Sequence, residues 1–174
     1  MEKWLELERH LRQESTLLPE RTAATTLRSA FHAGRLATIE EGERIIAIAA
    51  IWPSPHPTWW EVGTIWVHTD CKGRRLSGVV FADAFRKLQQ LSGDGAFLIT
   101  YRVGVAAMVI ASGWVETQWD VSTIPAQATA GRRHRHTSGQ RPLHERRLFC
   151  YPLRVADQPL TTFLSSSAQQ LEAP

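Results

Sequence analysis

Thr69 to Gly78 reads Thr-Asp-Cys-Lys-Gly-Arg-Arg-Leu-Ser-Gly and gathers the side chains best suited to hold an anion. Lys72, Arg74 and Arg75 supply positive charge, while Gly73 and Gly78 leave the backbone free to turn. Beyond Leu76 and Ser77, Val79, Val80, Ala84 and Leu88 recur at helical spacing, with Phe81 and Phe85 on the same broad face. The first turn of such a helix has N–H groups without intrahelical partners, and its dipole favours negative charge. A phosphate-bearing cofactor is the natural guest. Just upstream stand two candidate bases, Glu61 and His68. Trp59, Trp60, Trp66 and Trp114 could desolvate Glu61 and raise its pKa; the plainer alternatives are a solvated carboxylate and a loop histidine. A second basic group lies far downstream: Arg132, Arg133, Arg135, Arg141, Arg146 and Arg147, interleaved with His134, His136 and His144. Arginine is the phosphate-recognising side chain, so this stretch is either a nucleic-acid contact or a solvated loop.

These groups need elements to place them. Val62, Thr64, Ile65, Trp66 and Val67 are β-branched or aromatic and predict a strand leading into the anion loop. Glu61 lies six residues before Val67, so the two share a face of that strand unless a bulge intervenes. Earlier, residues 3–13 predict a helix and Pro19 opens a second that stops at Gly34. A hairpin follows, from Arg35–Ile39 through a turn at Glu40–Glu43 to Arg44–Trp52. Pro53, Pro55 and Pro57 make a stiff loop that carries Trp59 and Trp60, which with Trp52 are candidates to line an acceptor pocket or stack a base. Later come a strand at Ala96–Tyr101, a helix at Val103–Ser112, and two strands at Trp114–Val121 and Arg147–Arg154.

A chain of 174 residues suits one domain with a real core. The expected organisation is an α/β domain over residues 1–154, with a basic loop at 125–146 inserted between its last two strands. Residues 155–174 form a partly flexible extension. No apolar run reaches the roughly 20 residues that span a bilayer, so no membrane is expected. Two cysteines, Cys71 and Cys150, are too few for a disulfide scaffold, which favours a reducing, cytoplasmic setting. No metal site is expected, since arginines interleave the histidines. Residues 1–130 hold 13 Lys and Arg against 14 Asp and Glu, a net of −1; residues 131–174 hold 7 against 3, a net of +4. The positive excess therefore sits in the tail and speaks of a partner.

The segment Val67-His-Thr-Asp-Cys-Lys-Gly-Arg-Arg-Leu-Ser-Gly-Val-Val80 resembles the acyl-CoA loop of the GNAT superfamily of N-acyltransferases, which runs Arg/Gln-x-x-Gly-x-Gly/Ala between a strand and a long helix. Lys72 takes the Arg/Gln position, Arg75 the first Gly and Ser77 the second. The strand, helix and Gly113-Trp114 further on are similar to the superfamily's second block, with Arg102 where an Asn often stands. Val109 occupies the place of the Tyr that usually reprotonates the leaving thiolate. The resemblance covers residues 19 to 154 and implies a GNAT-like mixed sheet flanked by helices, with acetyl-CoA or another acyl-CoA as cofactor. It implies that Lys72, Gly73, Arg74, Arg75, Leu76, Ser77 and Gly78 hold the diphosphate and that the backbone of Ile65 and Val67 pairs with the pantetheine arm. Glu61 matches the superfamily's catalytic Glu, with His68 as second candidate base.

The expected function is N-acylation of an amine, with DNA or tRNA the favoured carrier of the acceptor through Arg132, Arg133, Arg135 and Arg141. That organisation has a partial likeness to phage and mobile-element GNAT-like proteins, including Mom-type DNA-modification proteins. A protein or small-molecule amine is one alternative, and a catalytically silent binding module is the other, given Arg75, Arg102 and Val109. The residues leave the acyl group and the oligomeric state open.

Overall fold

The computed structural model describes residues 1–14, 17–118, 124–133 and 146–153. Helix α1 spans Glu2–Arg12 and α2 spans Ala24–His32; strands β1 (Leu36–Glu41), β2 (Arg44–Pro53) and β3 (Trp59–Val67) follow. Then come α3 (Leu76–Gln89), β4 (Gly95–Thr100), α4 (Val103–Ala111), β5 (Val115–Thr117), α5 (Ala126–Arg133) and β6 (Arg147–Pro152). The six strands form one mixed sheet in the order β1-β2-β3-β4-β6-β5. The last strand in sequence thus inserts between β4 and β5, antiparallel to both. The sheet is the α/β architecture expected from the sequence.

Several boundaries differ from that expectation. Pro19 opens only a three-residue 3₁₀ turn, and α2 starts five residues later at Ala24. Trp59 and Trp60 belong to β3 rather than to the proline loop. Gly95 makes this possible, because a Cβ there would lie 2.7 Å from the Trp59 ring. Residues 125–146 are not all loop: α5 takes the first part. The strand expected at Trp114–Val121 is described only over β5.

Strand β2 (RIIAIAAIWP) has eight consecutive buried residues, the pattern of a strand covered on both faces. Under α1 and α2 lie Trp4, Leu7, Leu11, Leu27, Ile48, Trp52 and Trp66. Each fully buried leucine there contributes about 1.5–3 kcal/mol of transfer free energy. On the opposite face α3 sets Val80 and Ala84 against Ala47, Ala49 and Val67, while Phe81, Val62, Leu98, Val109 and Phe149 pack towards α4.

Two irregularities in β3 shape the middle of the sheet. Its pairing with β2 slips between Ile48 and Ala50, where Thr64 takes φ 51°. This bulge reverses the alternation of side chains. Val67 therefore joins the α3 face, whereas Glu61 shares the α1–α2 face with Trp66 and His68. Second, β3 and β4 pair in parallel only from Trp59/Gly95 to Val62/Leu98. Past that point β4 stays with β6, and the two central strands part.

Candidate active site

The parting of β3 and β4 opens a cleft of about 660 Å³. Its floor is Gly63 to Val67 of β3, and one wall is Leu98 to Arg102 with the start of α4. The α1–α2 connection roofs one end through Glu14, Leu17, Leu18 and Arg21. The other end is the anion loop, represented by Cys71, Lys72, Gly73, Arg75, Leu76 and Ser77. On this floor the β4-facing edge of β3 has no ladder partner among the described residues.

Anion-loop geometry follows from two left-handed residues, Gly73 at φ 86° and Arg75 at φ 58°. Arg75 is the residue preceding α3 and gives the helix no side-chain cap. The Arg75 carbonyl already accepts from the Gly78 N–H at 3.1 Å, closing the first turn, so the N–H groups of Leu76 and Ser77 are the ones an outside acceptor would meet. The Arg75 side chain is exposed, and the cradle is open. The left-handed backbone at Arg75 is one that glycine adopts freely and that costs a non-glycine residue roughly 1–2 kcal/mol.

Not every loop residue turns inward. The Arg74 guanidinium bonds Glu41 at 2.8 Å, away from the cleft, and holds that carboxyl below the usual carboxylate range. Gly78 is likewise absent from the lining, as is His68. The His68 ring is buried edge-on to His10 at 4.7 Å, with Nε2 3.0 Å from the Arg44 guanidinium; its Nδ1 accepts from the Asp70 N–H. It caps the short turn after β3. Trp59 and Trp60 are also absent from the lining of the cleft. Trp59 packs with Phe97 and Ile124, and Trp60 donates to the Ser92 carbonyl.

Glu61 does reach the cleft, but in company. Both of its oxygens accept from Arg21, at 2.9 and 2.8 Å, and the side chains are only 10% and 15% exposed. Arg21 lies 5.2 Å over the Trp52 ring, and the Trp52 indole N–H donates to Thr64 at the bulge. Forty residues separate Arg21 from Glu61, and no periodicity or motif links them. Tyr101 and Arg102 also line the cleft and were not among the expected site residues; Arg146, from the basic stretch, lines it too. Of the basic stretch, Arg132 and Arg133 fall at the end of α5, while Arg135 and Arg141 lie outside the described residues. Arg147 forks onto Glu116 at 2.6 Å and ties β6 to β5. Among the described residues no group of three or more His, Cys, Asp or Glu could hold a metal ion.

No family profile and no curated protein matches the sequence. Solved structures do match in shape. An acetyltransferase of the GNAT family from Staphylococcus aureus superposes with a TM-score of 0.56 at 10% identity, over 88% of this chain and 92% of its own. Rv2747 of Mycobacterium tuberculosis, solved with CoA and a second bound molecule, gives 0.60 at 10% identity over 88% and 95%. Diaminobutyrate acetyltransferase EctA from Paenibacillus lautus, solved with CoA and L-2,4-diaminobutyric acid, gives 0.59 at 9% identity over 88% and 91%. This chain has the GNAT fold.

Proposed function

We propose that the protein is an acyl-CoA-dependent N-acyltransferase, with acetyl-CoA as the donor and an amine as the acceptor. One observation carries this: the central strands part directly in front of an uncapped helix start flanked by Lys72 and Arg75. The residues fit the cofactor. Lys72, Gly73, Arg75, Leu76 and Ser77 would hold its diphosphate, and the free edge of β3 at Ile65 and Val67 its pantetheine arm. Bound there, the cofactor supplies a thioester carbon open to attack by a neutral amine. Two of the GNAT-fold structures contain CoA, and one contains an amine substrate.

The chain's own groups divide the remaining work. Glu61 takes the proton from the acceptor amine once an oxygen exchanges its bond from Arg21 to that amine. Tyr101 holds the one phenol on the described lining and fills the proton-donor role that Val109, fully buried, leaves empty. Leu17, Leu18 and Ile65 give the cleft an apolar boundary that limits water.

Titration calorimetry with acetyl-CoA, followed by measurement of thiol release with amines, tests the proposal. Micromolar binding and amine-dependent thiol release are expected. Absence of binding at high micromolar cofactor would leave a silent GNAT-fold module. A second acceptor class, an amine on DNA or tRNA, is favoured by Arg146, which brings one end of the arginine-rich stretch to the cleft. If that class is right, changing Arg132, Arg133 and Arg135 together to Ala flattens the salt dependence of nucleic-acid binding.

A further inference from the structure

We propose that the turn end of the β1–β2 hairpin clamps the anion loop, and that Glu41 and Arg44 are positioning residues for the cofactor although neither lines the cleft. The inference rests on the acyltransferase reading and deepens it. Glu41 closes β1 and Arg44 opens β2, and the two face each other in register across the two-residue turn Gly42-Glu43. Gly42 takes φ 60°, the left-handed backbone that such a turn needs at its first position. Each residue of this pair reaches one end of the segment from His68 to Arg74.

At the near end, Arg44 Nη2 stands 3.0 Å from Nε2 of His68, the ring that caps the turn after β3. The His68 backbone N–H donates to the Ile46 carbonyl of β2 at 2.8 Å, so ring and backbone are both anchored there. At the far end, Arg74 Nη2 donates to Glu41 at 2.8 Å, and its Nη1 donates to the Cys71 sulfur at 3.5 Å. Cys71, Lys72 and Gly73, which line the cleft, lie between the two anchors. Arg75 follows the far anchor in a left-handed backbone, and such strain persists only where the surrounding contacts enforce it. A loop held in shape before the cofactor arrives loses less conformational freedom when it binds. Glu41 and Arg74 are about half exposed, so the clamp changes affinity by a small factor.

The sign of one substitution separates the clamp from simple electrostatics. Glu41→Gln removes a negative charge beside the loop, which by charge alone would tighten binding of a polyphosphate cofactor. Loosening the loop weakens it instead. The test is titration calorimetry of the full chain with acetyl-CoA, comparing wild type with Glu41→Gln, Arg44→Gln, Glu41→Arg, and Glu41→Arg combined with Arg74→Glu. Each single variant should raise Kd about two- to fivefold, and the exchanged pair should lie closer to wild type than Glu41→Arg does. In turnover with an amine, Glu41→Gln should raise KM for acetyl-CoA while kcat at saturating cofactor is unchanged. Binding to Glu41→Gln as tight as wild type or tighter, a fall in kcat with KM unchanged, or no recovery in the exchanged pair would each overturn the inference alone. Failure of the wild-type chain to bind acetyl-CoA would instead remove the acyltransferase reading itself, and this inference with it.

Discussion

Arg21 and Glu61 sit in a nearly dry part of the cleft, and each is held by the other. Removing one partner from such a pair takes two short charge-assisted bonds from a largely buried charge, a change that destabilises proteins by up to several kcal/mol. Arg21→Met is therefore expected to cost about 2–3 kcal/mol, and adding Glu61→Gln should recover much of it. Denaturant unfolding of the two single variants and the double variant measures this; strict additivity would mean that the pair is not coupled. Glu61→Gln alone should lower turnover while acetyl-CoA affinity stays the same, and undiminished turnover would move the base elsewhere. At Arg75 the sign is the opposite of the usual glycine substitution. Its backbone is left-handed, so Arg75→Gly relieves strain that elsewhere in a helix would be absent. Thermal unfolding should show no loss, and a gain of up to about 1 kcal/mol; a loss of that size would mean the side chain matters more than the backbone.

At the scale of elements, β3 is the piece whose irregularities create the site. A bulge at Thr64 reverses which residues face α3, and early separation from β4 exposes a strand edge in the middle of a sheet. A regular β3 would have continued its pairing and closed the cleft. The far edge of the sheet depends on different physics. Strand β5 has three residues, and its attachment to β6 includes the fork from Arg147 to Glu116. Bonding to Arg147 holds the Glu116 carboxyl below the usual carboxylate range. A carboxyl lowered in the folded state contributes stability that is complete above its unfolded pKa and is lost as pH falls through the folded value. Wild type should therefore exceed Glu116→Gln in stability at neutral pH and lose that advantage below about pH 4. Both side chains are more than a third exposed, so the effect is small and shrinks with salt; unfolding midpoints across pH and ionic strength read it. An advantage that persisted unchanged at low pH would assign it to packing.

Over the whole molecule, a nearly neutral body carries a cleft with excess positive charge, so binding of acetyl-CoA should weaken as salt screens it. Calorimetry between low and physiological ionic strength measures the slope, and a flat response would place the phosphates outside the loop. The local features behind this were legible in the sequence: the strand before the loop, the cations at Lys72 and Arg75, the helix that follows and the hairpin of β1 and β2. All of them depend on neighbours within about a dozen positions, where periodicity, turn chemistry and charge act directly. Glu61 was legible as a carboxylate on the central strand, but the guanidinium that holds it was not. Arg21 is forty positions away on a connection with no periodic signal. Nor could spacing show that His68 would turn under α1, that Trp59 and Trp60 would be strand residues, or that β6 would enter between β4 and β5. By itself the sequence determined an α/β architecture and a helix start with Lys72 and Arg75 beside it, because those depend on local backbone chemistry. Only the tertiary structure decided which charges share the cleft and which are tied up elsewhere, because ion pairing and strand order join residues that the chain keeps far apart.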